Sequence, residues 1–375
     1  MKTAAMVLGL LMLLGGFRVG AVTVEELYAE QLEASGGREL IAALPEETRE
    51  LLAELGIERL EPQELTELAT GRLGETVLSV VSAALKGPLA TAGTVLLIIL
   101  LYAWLDGLRS LKLRNTMAPV FGTVCALAVC GCLLLPLTDV IRAVSEAMTS
   151  TSVFMGSFTP IYAAALLSSG RAATALSFQS VVLYVSQLLA WLASGVIVPL
   201  MTVSLALGVT GAVTPEMRVG SVGKLIAKTA TWVLTMGMLL FSGLLSMQAL
   251  TGQAVDGLGA RALRFSVSTF VPVVGGSLGE SLSTIRGCLD LLHSTLGGFG
   301  GVTTALIVLP PLCRCLWWSL LMSVCRAAAD LFDLKPIAEI ASAAQSTIKC
   351  LIGILSASGS FLIVALTVVT TTTGG

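Results

Sequence analysis

Long apolar runs separated by short polar segments predict helices that cross a membrane. A crossing needs about 20 apolar residues, and its backbone groups must be paired within the helix because lipid offers no partners. Segments near this length lie at 88–105, 116–138, 153–170, 174–194, 196–213, 229–249, 296–322 and 350–370. The pattern predicts an all-α, polytopic membrane domain over residues 87–375 with seven to eight transmembrane helices, the third segment being weakened by Gly156 and Pro160.

The fourth and fifth segments come from one uncharged run, Ala172–Pro215, which is too long for a single crossing. Gly195 and Pro199 lie near its middle, and both residue types interrupt helices. We expect the chain to fold back there.

Three other stretches have the spacing of amphipathic helices. Val77–Leu85 is expected to end at Gly87-Pro88, before the first crossing. The other two, near 139–149 and 277–295, predict helices that lie on the membrane surface or on other helices. The apolar side of the first comprises Val140, Ile141, Val144 and Met148, and that of the second comprises Leu278, Leu282, Ile285, Leu289, Leu292 and Leu296.

The N-terminus has the layout of a secretory signal peptide at 1–21. Lys2 precedes an apolar core at Ala4–Leu14, and Val19-Gly20-Ala21 resembles a cleavage site. Arg18 interrupts that boundary, so an uncleaved signal anchor is the alternative. Both interpretations place residues 22–86 on the far side of the membrane.

The segment at 22–86 is expected to be a small acidic helical domain. Residues 22–75 contain 14 acidic and four basic side chains. Helices are predicted after Thr23, from Glu46 to Leu55 behind Pro45, and over Gln63–Thr70 behind Pro62. So short a segment folds marginally by itself, and we expect it to dock on a partner or on the rest of the chain, a solvated acidic face being the alternative.

Composition and charge agree with a membrane protein. The chain is 55% hydrophobic and 12% charged, with a mean hydropathy of +0.90. Basic residues concentrate in two connections, which the positive-inside rule places in the cytosol. These residues are Arg109, Lys112 and Arg114, and then Arg218, Lys224 and Lys228.

Catalytic, cofactor and metal motifs are absent from the sequence. Its one histidine, His293, is predicted to be an interfacial polar residue, a ligand or proton-relay role being the alternative. The two C-x-C pairs, at Cys130 and Cys313, lack chelating spacing, so we interpret the cysteines as small buried hydrophobes. Arg314 would cost about 2.5–3.5 kcal/mol at the bilayer centre unless it reaches the surface or a partner.

Hydroxyl and amide side chains form stripes on three predicted spans. Such stripes line watery paths in some membrane proteins, and in others they make interhelical hydrogen bonds. Both interpretations remain open. The stripes comprise Ser177, Ser180, Tyr184, Gln187 and Trp191; Thr231, Thr235, Ser242 and Ser246; and Ser356, Ser360, Thr367 and Thr371.

Glycine spacing predicts places where helices approach closely. Gly275/Gly279 and Gly297/Gly301 have the G-x-x-x-G spacing that lets two helix backbones touch. In the second pair, the glycine-rich segment 297–301 follows no strand, so close helix approach or a hinge is expected rather than phosphate binding.

The order of these features resembles the stage III sporulation protein AE family of endospore-forming bacteria. Matching features follow the signal peptide and acidic helices. They are Gly74-Glu75, Ala230–Gln248, Val255-Asp256-Gly257, Arg264-Phe265, Phe270–Gly276 with Pro272, Gly275 and Gly276, Gly287-Cys288, Gly297–Gly301 and Lys335-Pro336. The stretch from Asp256 to Gly276 is the most specific part.

The resemblance implies a role in sporulation. Family members sit in the mother-cell-derived membrane around the forespore, with the acidic domain in the intermembrane space. They join the other proteins of the stage III sporulation A operon, facing a forespore-side partner, in a channel-like or secretion-like complex. The chain would then be a non-enzymatic subunit with lipid, protein and further copies of itself as partners, and with no nucleic acid or cofactor. An autonomous small-solute permease is the alternative.

Overall fold

The computed structural model of this protein describes residues 40–41, 44–57, 72–108, 118–213, 221–241, 243–244, 246–247 and 275–373. Its helices are α1 (Glu46–Glu54), α2 (Arg72–Leu108), α3 (Ala118–Ser168), α4 (Ala172–Trp191), α5 (Val198–Val213), α6 (Ser221–Phe241), α7 (Gly275–Leu331) and α8 (Lys335–Thr373). The expected signal peptide and the helices predicted after Thr23 and over Gln63–Thr70 lie outside these residues.

Six helices in the described residues are long and apolar enough to cross a membrane. The expected count of seven to eight is not confirmed, because two predicted pairs of crossings are each one helix. Segments 116–138 and 153–170 both belong to α3, and the amphipathic stretch at 139–149 continues the helix between them. Segments 174–194 and 196–213 likewise lie within one continuous helical run, Ala172–Ala212. In α7, segment 296–322 continues the amphipathic stretch at 277–295.

The predicted fold-back at Gly195 is wrong. The chain passes from α4 into α5 through a π-helical turn, Leu192–Ile197, without reversing direction. Proline lacks the N–H that the helix needs and crowds the preceding turn. The wider π turn lies directly before Pro199, where it rearranges the backbone hydrogen bonds and lets the helix continue.

The predicted helix end at Gly87-Pro88 is also wrong. Pro88 lies inside α2, where it is buried. One internal proline removes a single backbone hydrogen bond, and packing of the apolar faces on both sides compensates for that loss. The amphipathic stretch before Pro88 and the first predicted crossing are therefore one helix.

Helices α7 and α8 form a long antiparallel hairpin. The turn between them contains Asp333, whose φ of 55° is left-handed. Along the hairpin the Gln345 amide donates a hydrogen bond to the Ser323 hydroxyl. Farther from the turn, Gly359 lies so close to α7 that an added Cβ would be 3.3 Å from Val308.

Aromatic rings fill the contact between α3 and α7. Phe158 stacks between Phe154 and Tyr162, with ring centroids 5.4 and 5.5 Å apart respectively. A Cβ at Gly300 of α7 would lie 2.5 Å from Phe158 Cζ, so only glycine leaves room for the ring. The expected close approach in segment 297–301 is confirmed at Gly300, whereas nothing lies within 4 Å of a Cβ at Gly301.

The remaining helices alternate in direction. Helix α2 runs parallel to α7, because Trp317 Nε1–H donates to the Val81 carbonyl at 3.0 Å and Cys325 lies beside Ala92. Helix α5 packs against α6 through the Ser204 hydroxyl, which donates to the Gly223 carbonyl at 2.7 Å. Near its C-terminus, Gly208 of α5 lies against Ala343, close to the start of α8. The C-termini of α2 and α5 and the α7–α8 turn therefore lie at one end of the bundle. The connections after α2 and α5 carry most of the predicted cytosolic charge.

The predicted acidic helix is confirmed as α1. It ends at Glu54, shortly before Gly56, which has the left-handed φ of 80° that glycine adopts without strain. Its apolar side is buried, with Leu52 1% exposed. Leu51 packs against a buried cluster of Val80 and Ala84 from α2 and Cys313 from α7. Within the described chain, α1 thus docks on the membrane helices, one of the two expected outcomes.

We predict that Gly300→Ala lowers the free energy of unfolding by about 1–3 kcal/mol, because the new methyl group overpacks against a ring held on both faces. Thermal unfolding in detergent, followed with a thiol-reactive dye that reports exposure of the buried cysteines, measures this effect.

Gly301→Ala is the matched control, since nothing lies within 4 Å of the position that its Cβ would take. Alanine is the better helix former by about 1 kcal/mol, so this variant should be unchanged or slightly more stable. Equal losses in the two variants would contradict the packing argument.

Candidate functional site: a charged cleft and outward-facing polar stripes

A cleft of about 400 Å³ opens between α2, α3 and α7. Two opposite charges line it, Asp139 from α3 and Arg314 from α7. Both side chains are exposed to the cleft or the surface. The other lining residues are small, apolar or weakly polar, namely Ala83, Ala84, Gly87, Pro88, Thr91, Leu135, Pro136, Val140 and Trp318.

The fold explains why Asp139 and Arg314 line the same cleft. Along α3, Val140, Ile141, Val144 and Met148 are all buried, as the sequence predicted for one side of this stretch. That side packs into the core, so the other side, which carries Asp139, faces outward. On α7, the residues on either side of Arg314, Cys313 and Cys315, are buried, so Arg314 also points away from the core.

The cleft accounts for the position of Arg314, whose charge was predicted to be unfavourable within a membrane crossing. Arg314 lies at the same height as Pro88 and Pro136, where the apolar runs of α2 and α3 meet polar residues. The apolar runs at 88–105 and 116–138 therefore end at this height, whereas α7 is apolar on both sides of Arg314. Among the described residues, no ion pair within 4 Å joins Arg314 to Asp139, so the two charges lie on the walls of an open space.

His293 lies elsewhere, in the core between α3 and α7. Its side chain is 0% exposed, and its Nε2–H donates to the Ala165 carbonyl at 2.7 Å. The ring also makes an edge contact with Tyr162, at a centroid distance of 6.4 Å. The expectation of an interfacial residue is wrong, because the helix that carries it packs on α3 instead of lying on a surface.

The stripe on α4 faces outward. Ser180, Tyr184, Gln187 and Trp191 are exposed and Ser177 is partly so. Tyr184 is 78% exposed and Trp191 61%. The Ser180 hydroxyl donates to the Leu176 carbonyl of its own helix at 2.9 Å.

The stripes on α6 and α8 also face outward. Thr231, Thr235, Ser246, Ser356, Ser360 and Thr367 are all exposed. Thr235 donates to the Thr231 carbonyl at 2.8 Å and Ser356 to the Ile352 carbonyl at 2.6 Å, so these hydroxyls bond along their own helices. A watery path along the stripes stays a prediction, and it would need neighbouring molecules to enclose it.

Some predicted residues cannot be placed. Ser242, Asp256, Arg264 and Pro272 lie outside the described residues, as does the side chain of Thr371. Gly275 and Gly276 open helix α7.

Cysteine behaves as a hydrophobe. Of the seven cysteines whose side chains the structure describes, Cys130, Cys313, Cys315, Cys325 and Cys350 are buried, and none of the seven forms a disulfide. The part of the chain that the structure describes contains no group of three or more His, Cys, Asp or Glu side chains placed to hold a metal ion.

Asp139 and Arg314 lie in separate segments of the sequence, so the cleft between them was not predicted. Each is a charged residue at the edge or in the middle of an apolar run, and such a residue often indicates a functional position in a membrane protein. Their pairing needed the antiparallel register of α3 and α7, which helical periodicity does not encode.

Comparison with known proteins supports the resemblance found in the sequence. The family model of stage III sporulation protein AE matches residues 57–373. Stage III sporulation protein AE of Bacillus subtilis (strain 168) is 24% identical over 208 residues, or 56% of this chain. That alignment covers 52% of the Bacillus protein, about half of its length. No solved structure matches the chain. Because the family match includes all six long apolar helices, this chain belongs to the stage III sporulation protein AE family.

Proposed function

We propose that this chain is a non-enzymatic membrane subunit of the mother cell–forespore channel or secretion-like complex required for sporulation. The observation that carries the proposal is the family match over residues 57–373, which extends from the end of the acidic segment through the last membrane helix. The other proteins of the stage III sporulation A operon and a forespore-side protein are the proposed partners.

Helix α1 supports an assembly role. Its apolar side is docked on the membrane helices, and its exposed side displays Glu46, Glu47, Glu50 and Glu54. A rigidly held acidic surface favours a basic partner through electrostatic complementarity. We propose that residues 22–86 face the intermembrane space and that α1 is a contact surface for another subunit.

The outward polar stripes support the same role. Polar side chains facing lipid gain little, whereas neighbouring subunits or water in a shared conduit can use them. We therefore propose that the stripes on α4, α6 and α8 contact other subunits or line a path between them. A solitary permease is less well supported, because its polar path would have to lie inside one chain.

Affinity purification from sporulating cells tests the proposal. The chain, tagged at its own locus in its native host, is solubilised from the membrane, and its partners are identified by mass spectrometry. We expect to recover other stage III sporulation membrane proteins. Recovery of the chain alone, together with normal spore yield after deletion of its gene, would refute an assembly role.

We predict that Glu47→Gln combined with Glu50→Gln lowers partner recovery by about threefold to tenfold, because charge complementarity speeds and strengthens association. The loss should shrink as salt is raised, since exposed charges are screened. Quantitative mass spectrometry of the purified complex at two salt concentrations measures both effects.

The matched control replaces two exposed acids on the membrane helices, Glu146→Gln and Glu339→Gln, with the same change in net charge. It should leave partner recovery unchanged. If both double variants lose partners equally, the acidic surface of α1 is not the contact.

For the stripes, we predict that Ser180→Val combined with Gln187→Leu reduces spore yield while leaving the protein level and thermal stability unchanged. Both side chains are exposed, so apolar replacements do not disturb the core. Spore counts after heat treatment measure the result.

Thr94→Val and Thr202→Val remove exposed hydroxyls outside the stripes, each of which bonds to a carbonyl of its own helix. Spore yield should be normal in these controls. Normal yield in the stripe variant as well would indicate a surface that simply faces lipid.

A further inference from the structure

The cleft between α2, α3 and α7 holds a separated pair of opposite charges at the height where the apolar runs 88–105 and 116–138 end. From this arrangement we infer that it binds the headgroup of a zwitterionic phospholipid, with the phosphate on Arg314 and a primary ammonium on Asp139. The chemistry specifies a phosphatidylethanolamine. This site is independent of the proposed role in sporulation.

The surroundings of the cleft have features typical of a membrane–water boundary. The apolar run of α3 ends at Asp139, and that of α2 begins at Pro88. Lys86 and Arg142, both exposed, lie next to these residues along their helices. The partly exposed Trp317 lies at the same height on α7, and tryptophan concentrates at the headgroup level of membranes.

The size and shape of the cleft suit a headgroup. Its volume of about 400 Å³ falls within the range of small-molecule sites. Ala83, Ala84 and Gly87 leave a shallow floor along α2, because none has a side chain beyond Cβ. Leu135 and Trp318 supply apolar surface for the glycerol and upper acyl carbons.

The charges have the geometry of two recognition points. A guanidinium binds a phosphate with two parallel hydrogen bonds, and a carboxylate accepts hydrogen bonds from an ammonium. Since Asp139 and Arg314 share the cleft without forming an ion pair within 4 Å, a headgroup can lie between them. The Asp139 carboxylate also sets specificity, because a choline headgroup has no N–H to donate and a glycerol headgroup has no positive charge.

Lipid titration of the purified full-length chain tests this inference. Native mass spectrometry in detergent counts bound phosphatidylethanolamine, phosphatidylcholine and phosphatidylglycerol with identical acyl chains. We expect one phosphatidylethanolamine site at least about tenfold tighter than that for phosphatidylcholine, the effect of a charge-assisted hydrogen bond. Asp139→Asn should abolish this preference, and Arg314→Gln should weaken all three lipids by about tenfold.

Matched controls remove charges on the same helices outside the cleft. Arg326 on α7 pairs with Asp330 at 3.7 Å, and Glu146 on α3 is exposed. Arg326→Gln and Glu146→Gln should leave the affinity for phosphatidylethanolamine and its preference over phosphatidylcholine unchanged.

Thermal unfolding separates lipid binding from a structural role. Added phosphatidylethanolamine should raise the unfolding temperature of the native chain and both controls, and should raise that of the two cleft variants by less. If a cleft variant fails to fold without lipid, Arg314→Lys and Asp139→Glu keep the charges and should retain part of the preference. Equal affinity for the ethanolamine and choline lipids in the native chain, or an intact preference in Asp139→Asn, would overturn the inference.

Discussion

Helix α7 passes through the fold in contact with α1, α2, α3 and α8, and the positions of those helices depend on its surface. With 57 residues it measures about 85 Å along its axis, well beyond the roughly 30 Å hydrocarbon core of a bilayer. A single helix of that length can carry a buried core at one level, a charged cleft at another and a docking site for α1. Close approach at Gly300 sets the register in which α3 meets it, and that register brings Asp139 to Arg314.

Apolar surface extends along the whole length of these helices. Exposed large side chains occur at both ends of α3, such as Leu127 and Leu167, and on α4 and α6, such as Trp191 and Leu240. Between the apolar stretches of α3 lies the amphipathic segment that carries Asp139. A protein with apolar faces longer than one bilayer needs more than lipid to cover them, which agrees with a subunit that works in an assembly.

Several of these helices continue through prolines, which usually interrupt a helix. Pro88, Pro136 and the Pro310-Pro311 pair all lie inside continuous helices. In lipid an interrupted backbone leaves polar groups without partners, so the helical state is favoured over a turn even where proline removes a hydrogen bond. Two of these prolines line the cleft, so the same positions that disturb the helices also shape the candidate site.

The sequence by itself determined the class of the protein and much of its local structure. Hydropathy alone required apolar helices, since no other open structure satisfies the backbone in lipid. Proline and glycine bounded α1 correctly, periodicity identified the buried side of the 139–149 stretch, and the stretch from Asp256 to Gly276 contributed to identifying the family.

Tertiary structure decided how many helices these apolar runs make and which residues meet. A run of 41 residues such as Ala172–Ala212 is compatible with two crossings or one long helix, and local pattern does not distinguish them. The direction of the chain through Gly195 depends on packing against α3 and α8, contacts distant in sequence. Side-chain periodicity fixes which face of a helix is apolar, but not which partner covers that face. The burial of His293 and the shared cleft of Asp139 and Arg314 therefore depend on how the helices pack in three dimensions.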